Sequence, residues 1–198
     1  VNQADDGTTI GDMVVTPKSY FDSYILNKVN YALPSGKRDS YDKIIRIDLQ
    51  FYKPLATYDD WTHVSQTIPE NYRLSGDIDF TDKDNVRIGV IFGRLEGLVK
   101  QDGTNYKIMN YTKTGITAEK TALIREVTTT LKNVTFDNID LESTQNKNFI
   151  NVIYLNYADV ENVEFMNITT KSKGSYIAPI GRHRGQNFNN VKATNNTS

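Results

Sequence analysis

The chain contains no cysteine, which rules out disulfides, a thiol nucleophile and any zinc site built on cysteine ligands. It has only two histidines, His63 and His183, and neither is followed four residues later by a histidine or a carboxylate. The His-Glu-x-x-His motif of zinc peptidases, in which two histidines bind the metal and the glutamate is the general base, is therefore missing. The sequence predicts no catalytic residue, no metal and no other cofactor in this chain.

An excess of one charge and a long hydrophobic run are also lacking. The formal net charge is −1, from 23 basic and 24 acidic residues, whereas a nucleic-acid interface requires a clustered basic excess. No run approaches the roughly 18 apolar residues of a membrane span. The first residue is Val1 rather than an initiator Met. We therefore expect a piece of a longer protein that has no membrane span in this part, and whose partners include the other domains of that protein but not nucleic acid.

The last third of the chain contains a repeat. The segments Leu131–Phe136, Val160–Phe165 and Phe188–Ala193 each have an apolar residue, two polar residues and then alternating apolar positions. Their shared asparagines recur after 29 and then 28 residues. Alternation at a near-constant period is typical of stacked β-rungs. The pattern predicts a mainly β fold, a right-handed parallel β-helix of about three or more rungs.

This fold predicts how the repeated residues stack. Val134, Val163 and Val191 are expected in one interior stack, with Phe136 and Phe165 stacked two positions further on. The repeated asparagines, Asn133, Asn162 and Asn190, are expected to hydrogen-bond to one another along the coils, with a row that binds sugars as the alternative.

The chain before the repeats predicts a separate beginning. Residues 1–56 are interpreted as a lead-in segment or small α/β subdomain, and residues 57–198 as the β-helical domain. Within the lead-in segment, residues 43–52 alternate as in a half-buried strand. Residues 18–33 combine near-helical spacing of apolar residues with a composition that also permits a strand.

A short capping helix is predicted over residues 58–67. Thr57 is a suitable N-cap, and acidic residues in the first turn favour the helix dipole. Trp61, Val64 and Ile68 share one face at helical spacing. We expect this helix to dock Trp61 and to cover the open end of the sheet, because an exposed sheet edge invites pairing with another chain.

The most concentrated basic feature is the segment Gly181–Gly185, in which two arginines and a histidine lie between glycines. It is predicted to form an exposed turn between rungs that binds a carboxylate, a sialic acid or an acidic protein patch through bidentate arginine contacts. A solvated turn without a partner is the alternative. The candidate partner-binding residues, including two tyrosines that would add aromatic contacts, are Arg182, His183, Arg184, Tyr176 and Tyr154.

An acidic cluster follows Leu74 and consists of Asp77, Asp79, Asp82 and Asp84. Its oxygen donors in one loop are compatible with calcium, although the glycine and closing glutamate of an EF-hand are missing. Ordinary turn solubility is the simpler interpretation. A carboxylate pair for glycoside hydrolysis is a further alternative, and it requires two carboxyl groups that flank one cleft.

The order of motifs resembles a known family. Asn71–Phe80, Ile88–Gly97 and Tyr106–Asn110 follow the short helix, and then Ala122–Val127 precedes the repeats. This order resembles the non-catalytic β-helical region of the Gram-positive, streptococcal-type zinc metallopeptidases that include the immunoglobulin A1 proteases. The segment Leu98–Gly103 is longer than the usual tight turn of that pattern.

The resemblance implies a function for the chain as an accessory module. It would be a scaffold or substrate-positioning module of a secreted or cell-wall-attached virulence metallopeptidase that acts on a host glycoprotein such as immunoglobulin A1. Zinc would then be bound elsewhere in the parent protein, and the location would be extracellular. The alternatives are a β-helical adhesin or glycan-binding stalk of a Gram-positive surface protein and, from a third class, a β-helical enzyme acting on polysaccharide.

Overall fold

The structure is a computed structural model that describes residues 29–31, 45–47, 52–83, 86–147, 149–174 and 177–197. The chain divides into two compact units, Val1–Lys53 and Pro54–Ser198. In the first unit, β1 (Val29–Tyr31) pairs antiparallel with β2 (Ile45–Ile47). Strand β2 confirms the middle of the strand predicted over residues 43–52. The other residues of segments 18–33 and 43–51 lie outside the described ranges.

The second unit is a parallel β-helix of about four turns, which confirms the predicted fold class. One strand of its long sheet precedes a short helix, and the coils then continue to the last described residues. The remaining elements are β3 (Lys53–Leu55), α1 (Tyr58–Thr62), β4 (Tyr72–Leu74), β5 (Ile78–Asp79), β6 (Gly89–Ile91), β7 (Arg94–Gly97), β8 (Tyr106–Lys113), β9 (Lys120–Val127), β10 (Thr130–Glu142), β11 (Phe149–Asn156), β12 (Asp159–Lys171), β13 (Ile177–His183) and β14 (Phe188–Thr194).

Two sheets form the sides of the coils. The long sheet has the order β14-β12-β10-β7-β4-β3, with β8 paired to β10 and to β5. The short sheet has the order β13-β11-β9-β6. Strands β10 and β12 pair in parallel, as do β11 and β13. One coil therefore runs through β10 and β11, the next runs through β12 and β13, and the sequence repeat corresponds to one coil.

The interior of the coils is built from the predicted stacks. Val134 lies opposite Val163 in the register, and Val163 lies opposite Val191. The first two valines are fully buried, and Val191 is half-buried. The rings of Phe136 and Phe165 stack with their centroids 5.2 Å apart and their planes 8° apart. The alternation in the sequence thus correctly assigned the inward side of the repeat strands.

Helix α1 covers Tyr58–Thr62, so it ends earlier than predicted. Thr57 caps it as expected: its hydroxyl accepts a hydrogen bond from the backbone N–H of Asp60, and the Asp60 carboxylate accepts one from the backbone N–H of Thr57 at 2.9 Å. This reciprocal pair satisfies two amides that have no partner inside the helix. Trp61 and Val64 are buried as predicted.

The prediction for Ile68 is wrong, because its side chain is 60% exposed. The helical spacing that would bring Ile68 under Trp61 ends at Thr62. Beyond the helix, the Ser65 hydroxyl accepts hydrogen bonds from the backbone N–H groups of Thr67 and Ile68. This local turn replaces the next helical turns, so the chain leaves the helix axis before it reaches Ile68.

The predicted asparagine ladder is present at one corner of the coils. Asn133, Asn162 and Asn190 have φ of 54°, 52° and 49°, in the left-handed region that asparagine tolerates. The Nδ2 of Asn190 donates to Oδ1 of Asn162 at 2.9 Å, and Nδ2 of Asn162 donates to Oδ1 of Asn133 at 2.9 Å. Asn133 donates to the backbone oxygen of Gly97. Each amide therefore links one coil to the preceding coil.

A second ladder, absent from the sequence interpretation, occupies the next corner. Its residues also have positive φ: Asn110, Asn138, Asn167 and Asn195. Asn195 donates to Asn167, and Asn138 donates to Asn110, whereas Asn167 donates to Asp137 of the preceding coil. The sequence contained the signal, since each residue follows an asparagine by five positions, at Asn105, Asn133, Asn162 and Asn190.

The central asparagine of the first ladder offers a test of what the ladder contributes. Asn162→Ala removes the side-chain hydrogen bonds that join Asn162 to Asn105, Asn133 and Asn190. It also places alanine, which has no polar side-chain group, in the left-handed region, so the free energy of unfolding should fall by about 2–4 kcal/mol. Asn162→Gly removes the same bonds but accepts the conformation, and should be about 1 kcal/mol more stable than the alanine variant. Urea unfolding followed by circular dichroism measures both. Equal stability of the two variants would mean that the backbone conformation contributes nothing.

Candidate binding surface on the short sheet

The predicted basic turn is largely a strand. Arg182 and His183 are the last two residues of β13, and only Arg184 lies beyond it. Arg182 is half-buried and lies over the ring of Phe149, with Cζ 4.9 Å from the ring centroid. Arg184 lies over the ring of Tyr157, at 5.7 Å. The predicted turn is therefore wrong for Arg182 and His183, which belong to a strand, and the two arginines contact different aromatic rings.

The flanking glycines serve close packing rather than a projecting turn. Neither has a left-handed φ. A Cβ on Gly181 would lie 2.4 Å from Oδ1 of Asn151, and one on Gly185 would lie 2.1 Å from the backbone oxygen of Ala158. Cβ contacts are not observed at such distances, so a side chain at Gly181 would displace the amide of Asn151 and one at Gly185 would displace backbone. The glycines are required because consecutive coils approach each other at these points.

His183, at the end of β13, contacts residues of two other strands, β11 and β14. Asn156 lies opposite it in the register, and Nδ2 of Asn156 is 2.7 Å from Nδ1 of His183. The imidazole ring packs edge-on against Phe188, with centroids 4.3 Å apart. Partial burial lowers the pKa of His183, while the Asp159 carboxylate and a backbone hydrogen bond to Gly185 act in the opposite direction. Nδ1 accepts a hydrogen bond in the neutral ring, and protonation would remove that acceptor.

The lowered pKa of His183 predicts a pH dependence of stability. The unfolded chain binds a proton at His183 more readily than the folded chain. The stability that neutral His183 contributes is therefore fully present above about pH 6.5, and it is lost as the pH falls from there through the folded pKa. We expect the unfolding midpoint of the wild type to decrease between pH 7 and pH 5, and His183→Gln to show a smaller decrease. His63→Gln controls for the loss of a histidine elsewhere. An unchanged slope in His183→Gln would contradict the assignment.

Strand β11 bends so that two aromatic rings meet on the outside of the short sheet. Phe149 and Tyr154 are five residues apart. In a straight strand their Cα atoms would be about 16 Å apart and their side chains would lie on opposite faces. Their ring centroids are only 5.0 Å apart, with the planes at 71°. Between them, Val152 and Ile153 both belong to the interior. The strand must therefore turn there, which makes the outer surface concave.

Cations surround these two rings. Nζ of Lys120 lies 5.4 Å from the ring centroid of Phe149 and 5.5 Å from that of Tyr154. Together with Arg182 on Phe149, these residues form what we call the cation–aromatic cluster: Lys120, Phe149, Tyr154 and Arg182. Such contacts contribute about 0.5–1 kcal/mol each at exposed sites. Of the two predicted tyrosines, Tyr154 contacts the same ring as Arg182, whereas Tyr176 lies outside the described residues.

A shallow pocket of about 110 Å³ adjoins the cluster. Its floor includes the buried residues Thr121 and Ala122, and the partly exposed Ile88 contributes an apolar wall. Tyr154 forms another wall, and the cations of Lys120 and Arg125 are at its rim. Apart from Tyr154, sequence reasoning missed these residues, because a straight strand would separate Phe149 from Tyr154 and give no concave surface.

The acidic cluster is bonded to neighbouring donors. Asp77 accepts from Nζ of Lys100 at 3.0 Å and from the backbone N–H of Lys107. Asp79 accepts from Thr81 and Asn110, and these hydrogen bonds lower its pKa. Asp82 lines a polar surface depression of about 460 Å³ together with Asn110, whose amide already belongs to the second ladder. Asp84 lies outside the described residues.

Among the described carboxylates, Asp140 has a raised pKa, caused first by burial and then by the nearby charge of Glu142. Glu142 is itself paired with Lys171 at 2.8 Å. Neither residue lines one of the two pockets described above. This carboxylate pair therefore lies outside both pockets, whereas glycoside hydrolysis requires two carboxyl groups that flank one cleft.

Within residues 52–83, 86–147, 149–174 and 177–197, no three His, Asp or Glu side chains are grouped so that they could hold a metal ion. No helix in the described part of the chain has the length and apolar character needed to cross a bilayer. Comparison with family models, with curated proteins and with solved structures gives no match for this chain.

Proposed function

We propose that the chain is a non-catalytic β-helical scaffold module of a larger extracellular surface protein, and that it contacts its partner through the outer face of the short sheet. The observation that carries the proposal is the contrast between the two sheets. On the long sheet, opposite charges on neighbouring coils are paired. On the short sheet, the cations of Lys120 and Arg125 have no carboxylate partner among the described residues.

The ion pairs of the long sheet follow the strand register. Lys132 lies opposite Glu161, and Glu164 lies opposite Lys192, with N–O distances of 2.8 and 3.2 Å. Such exposed pairs contribute only about 0–1 kcal/mol each, but like charges directly opposite would be unfavourable. Four lysines of this sheet are compensated in this way, which reduces the charge available to attract an ionic partner.

Rigidity supports the scaffold role. Two asparagine ladders and the stacked interior side chains tie each coil to its neighbours, so that surface residues keep fixed spacings. A scaffold that holds a substrate in a productive orientation can accelerate a reaction without contacting the reacting atoms. The partner that we propose is the catalytic domain or the substrate of a zinc metallopeptidase, with immunoglobulin A1 as the substrate. This part of the proposal rests on the sequence motifs alone.

The test uses the full 198-residue chain. The chain should show no peptidase activity and no zinc that survives dialysis, and it should bind immunoglobulin A1 in calorimetric titration. Arg182→Ser should weaken that binding more at low salt than at physiological salt, because exposed charges are screened. Lys171→Ser, on the long sheet, is the control.

Two outcomes would contradict the proposal. Equimolar zinc or peptidase activity would refute the non-catalytic role. Loss of binding in Lys171→Ser but not in Arg182→Ser would assign the interface to the long sheet.

A second candidate function is an adhesin or glycan-binding stalk. The observation that favours it is the combination of a concave surface, an aromatic wall and cations beside the cluster. Aromatic side chains provide large and rigid contact area at low entropic cost, which suits the flat faces of sugar rings. This candidate requires no peptidase in the parent protein.

A further inference from the structure

We propose that the pocket formed by Ile88, Lys120, Thr121, Ala122, Arg125 and Tyr154 binds the carboxylated pyranose ring of an acidic glycan. This inference deepens the glycan-binding candidate and does not depend on the metallopeptidase assignment. Three features of the pocket carry it: its size, its apolar lining and the two cations at its rim.

The size limits the bound group to one ring. About 110 Å³ is well below the roughly 300–1,000 Å³ of pockets that enclose drug-sized ligands. A glycan that lies across the short sheet could place a single sugar residue here and leave its other residues on the surface. The bend of β11 makes this the concave part of the sheet, since it brings Tyr154 towards Phe149.

The lining suits a ring with one apolar face. Ile88 is 37% exposed and so offers apolar surface to a ligand, and Ala122 at the floor is buried. Tyr154 is half-buried, so that part of this residue remains accessible. The C–H face of a pyranose can cover the apolar surface of these three residues. Burial of that surface is favourable in proportion to its area.

The rim supplies the charge. Lys120 and Arg125 are exposed, and neither forms an ion pair within the described ranges. The neighbouring carboxylates in the sequence, Glu119 and Glu126, are not part of the lining. A carboxylate on the sugar ring would receive the planar fork of the arginine and the point charge of the lysine, which are strong charge-assisted contacts.

A carboxylated sugar fits this combination better than an acidic peptide. Aspartate and glutamate side chains present a carboxylate on a flexible chain without a flat apolar face. A peptide would therefore satisfy the cations but leave Ile88, Ala122 and Tyr154 uncovered. A neutral sugar would cover the apolar surface but leave the cations without a counter-charge. Of these three ligand classes, the sugar ring that carries a carboxylate uses both features.

The experiment titrates the full chain with tetragalacturonate, with sialyllactose and with neutral lactose, followed by nuclear magnetic resonance or calorimetry. The first two probes distinguish a hexuronate from a sialic acid as the source of the carboxylate. At least one of them should bind, and Lys120→Gln combined with Arg125→Gln should weaken it about tenfold or more. Tyr154→Ala should weaken binding without changing its salt dependence. Lys113→Gln, which removes an exposed lysine from the long sheet, should leave the affinity unchanged.

Several outcomes would overturn the inference. The first is that neither acidic probe binds to a chain whose fold has been verified by circular dichroism. The second is that lactose or a polyglutamate peptide binds as tightly as the acidic sugars. The third is that Lys113→Gln weakens binding as much as the double variant does. These outcomes leave the scaffold proposal untouched, because that proposal is tested by zinc content, peptidase activity and immunoglobulin binding.

Discussion

Replacing Val163 by Asp should prevent the chain from folding. Val163 is fully buried between Val134 and Val191 of the neighbouring coils. A carboxylate at this position would lie among apolar side chains without a hydrogen-bond partner or counter-ion. The cost of an unpaired buried charge is several kcal/mol or more, which is comparable to the whole stability of about 5–15 kcal/mol of an ordinary domain. Circular dichroism should show the loss of the β spectrum, and hydrogen exchange should show no protected amides.

Two controls separate charge from volume. Val163→Ala removes only methyl groups and should lower the free energy of unfolding by about 2 kcal/mol while the fold persists. Glu164→Asp introduces aspartate at the next position, whose side chain faces outward and pairs with Lys192, and should remain folded. A folded Val163→Asp variant with native stability would refute the assignment of Val163 to the interior stack.

The fold was predictable because its repeat is written in residue types with clear physical roles. Apolar alternation on either side of an asparagine indicates a strand, a corner and another strand, and the near-constant period indicates that coils stack. The end of α1 was less predictable. The sequence after Thr62 continues the helical spacing of apolar residues to Ile68, but the Ser65 hydroxyl competes for the backbone amides. Side-chain competition of this kind commonly decides where a helix ends.

The candidate site was less predictable than the fold. The sequence predicts a turn at Arg182–Arg184 because charge between glycines usually indicates one, but here the glycines permit close contact between coils. The cation–aromatic cluster depends instead on the bend of β11. Strand alternation assigns Phe149 and Tyr154 to opposite faces, and only the three-dimensional path of the strand brings their rings together. Lys120 comes from the preceding coil, so its contact with both rings depends on the register between coils.

Replacing Trp61 by Ala should destabilise the chain by about 3–5 kcal/mol, as for other large buried aromatic residues. Trp61 is fully buried; its indole N–H donates to the backbone oxygen of Arg87 at 2.7 Å, and its ring contacts Phe80 at 5.5 Å between centroids. Helix α1 has only five residues, far too few for independent stability. Its position therefore depends on this side chain, and the first coil loses its cover when the side chain is removed.

Trp61→Phe is the matched control, because it retains an aromatic ring beside Phe80 but removes the indole donor. The oxygen of Arg87 would then lose its partner, at a cost of about 1–3 kcal/mol. In urea unfolding followed by circular dichroism, we expect the wild type to be the most stable, Trp61→Phe to be intermediate and Trp61→Ala to be the least stable.

Trp61 is also the only tryptophan, so its fluorescence in the wild type reports on the cap alone. Because Trp61 belongs to one continuous core with the coils, fluorescence and circular dichroism should give the same midpoint. A fluorescence transition at clearly lower urea, with little effect of Trp61→Ala on the circular dichroism midpoint, would show that the coils are stable without the cap.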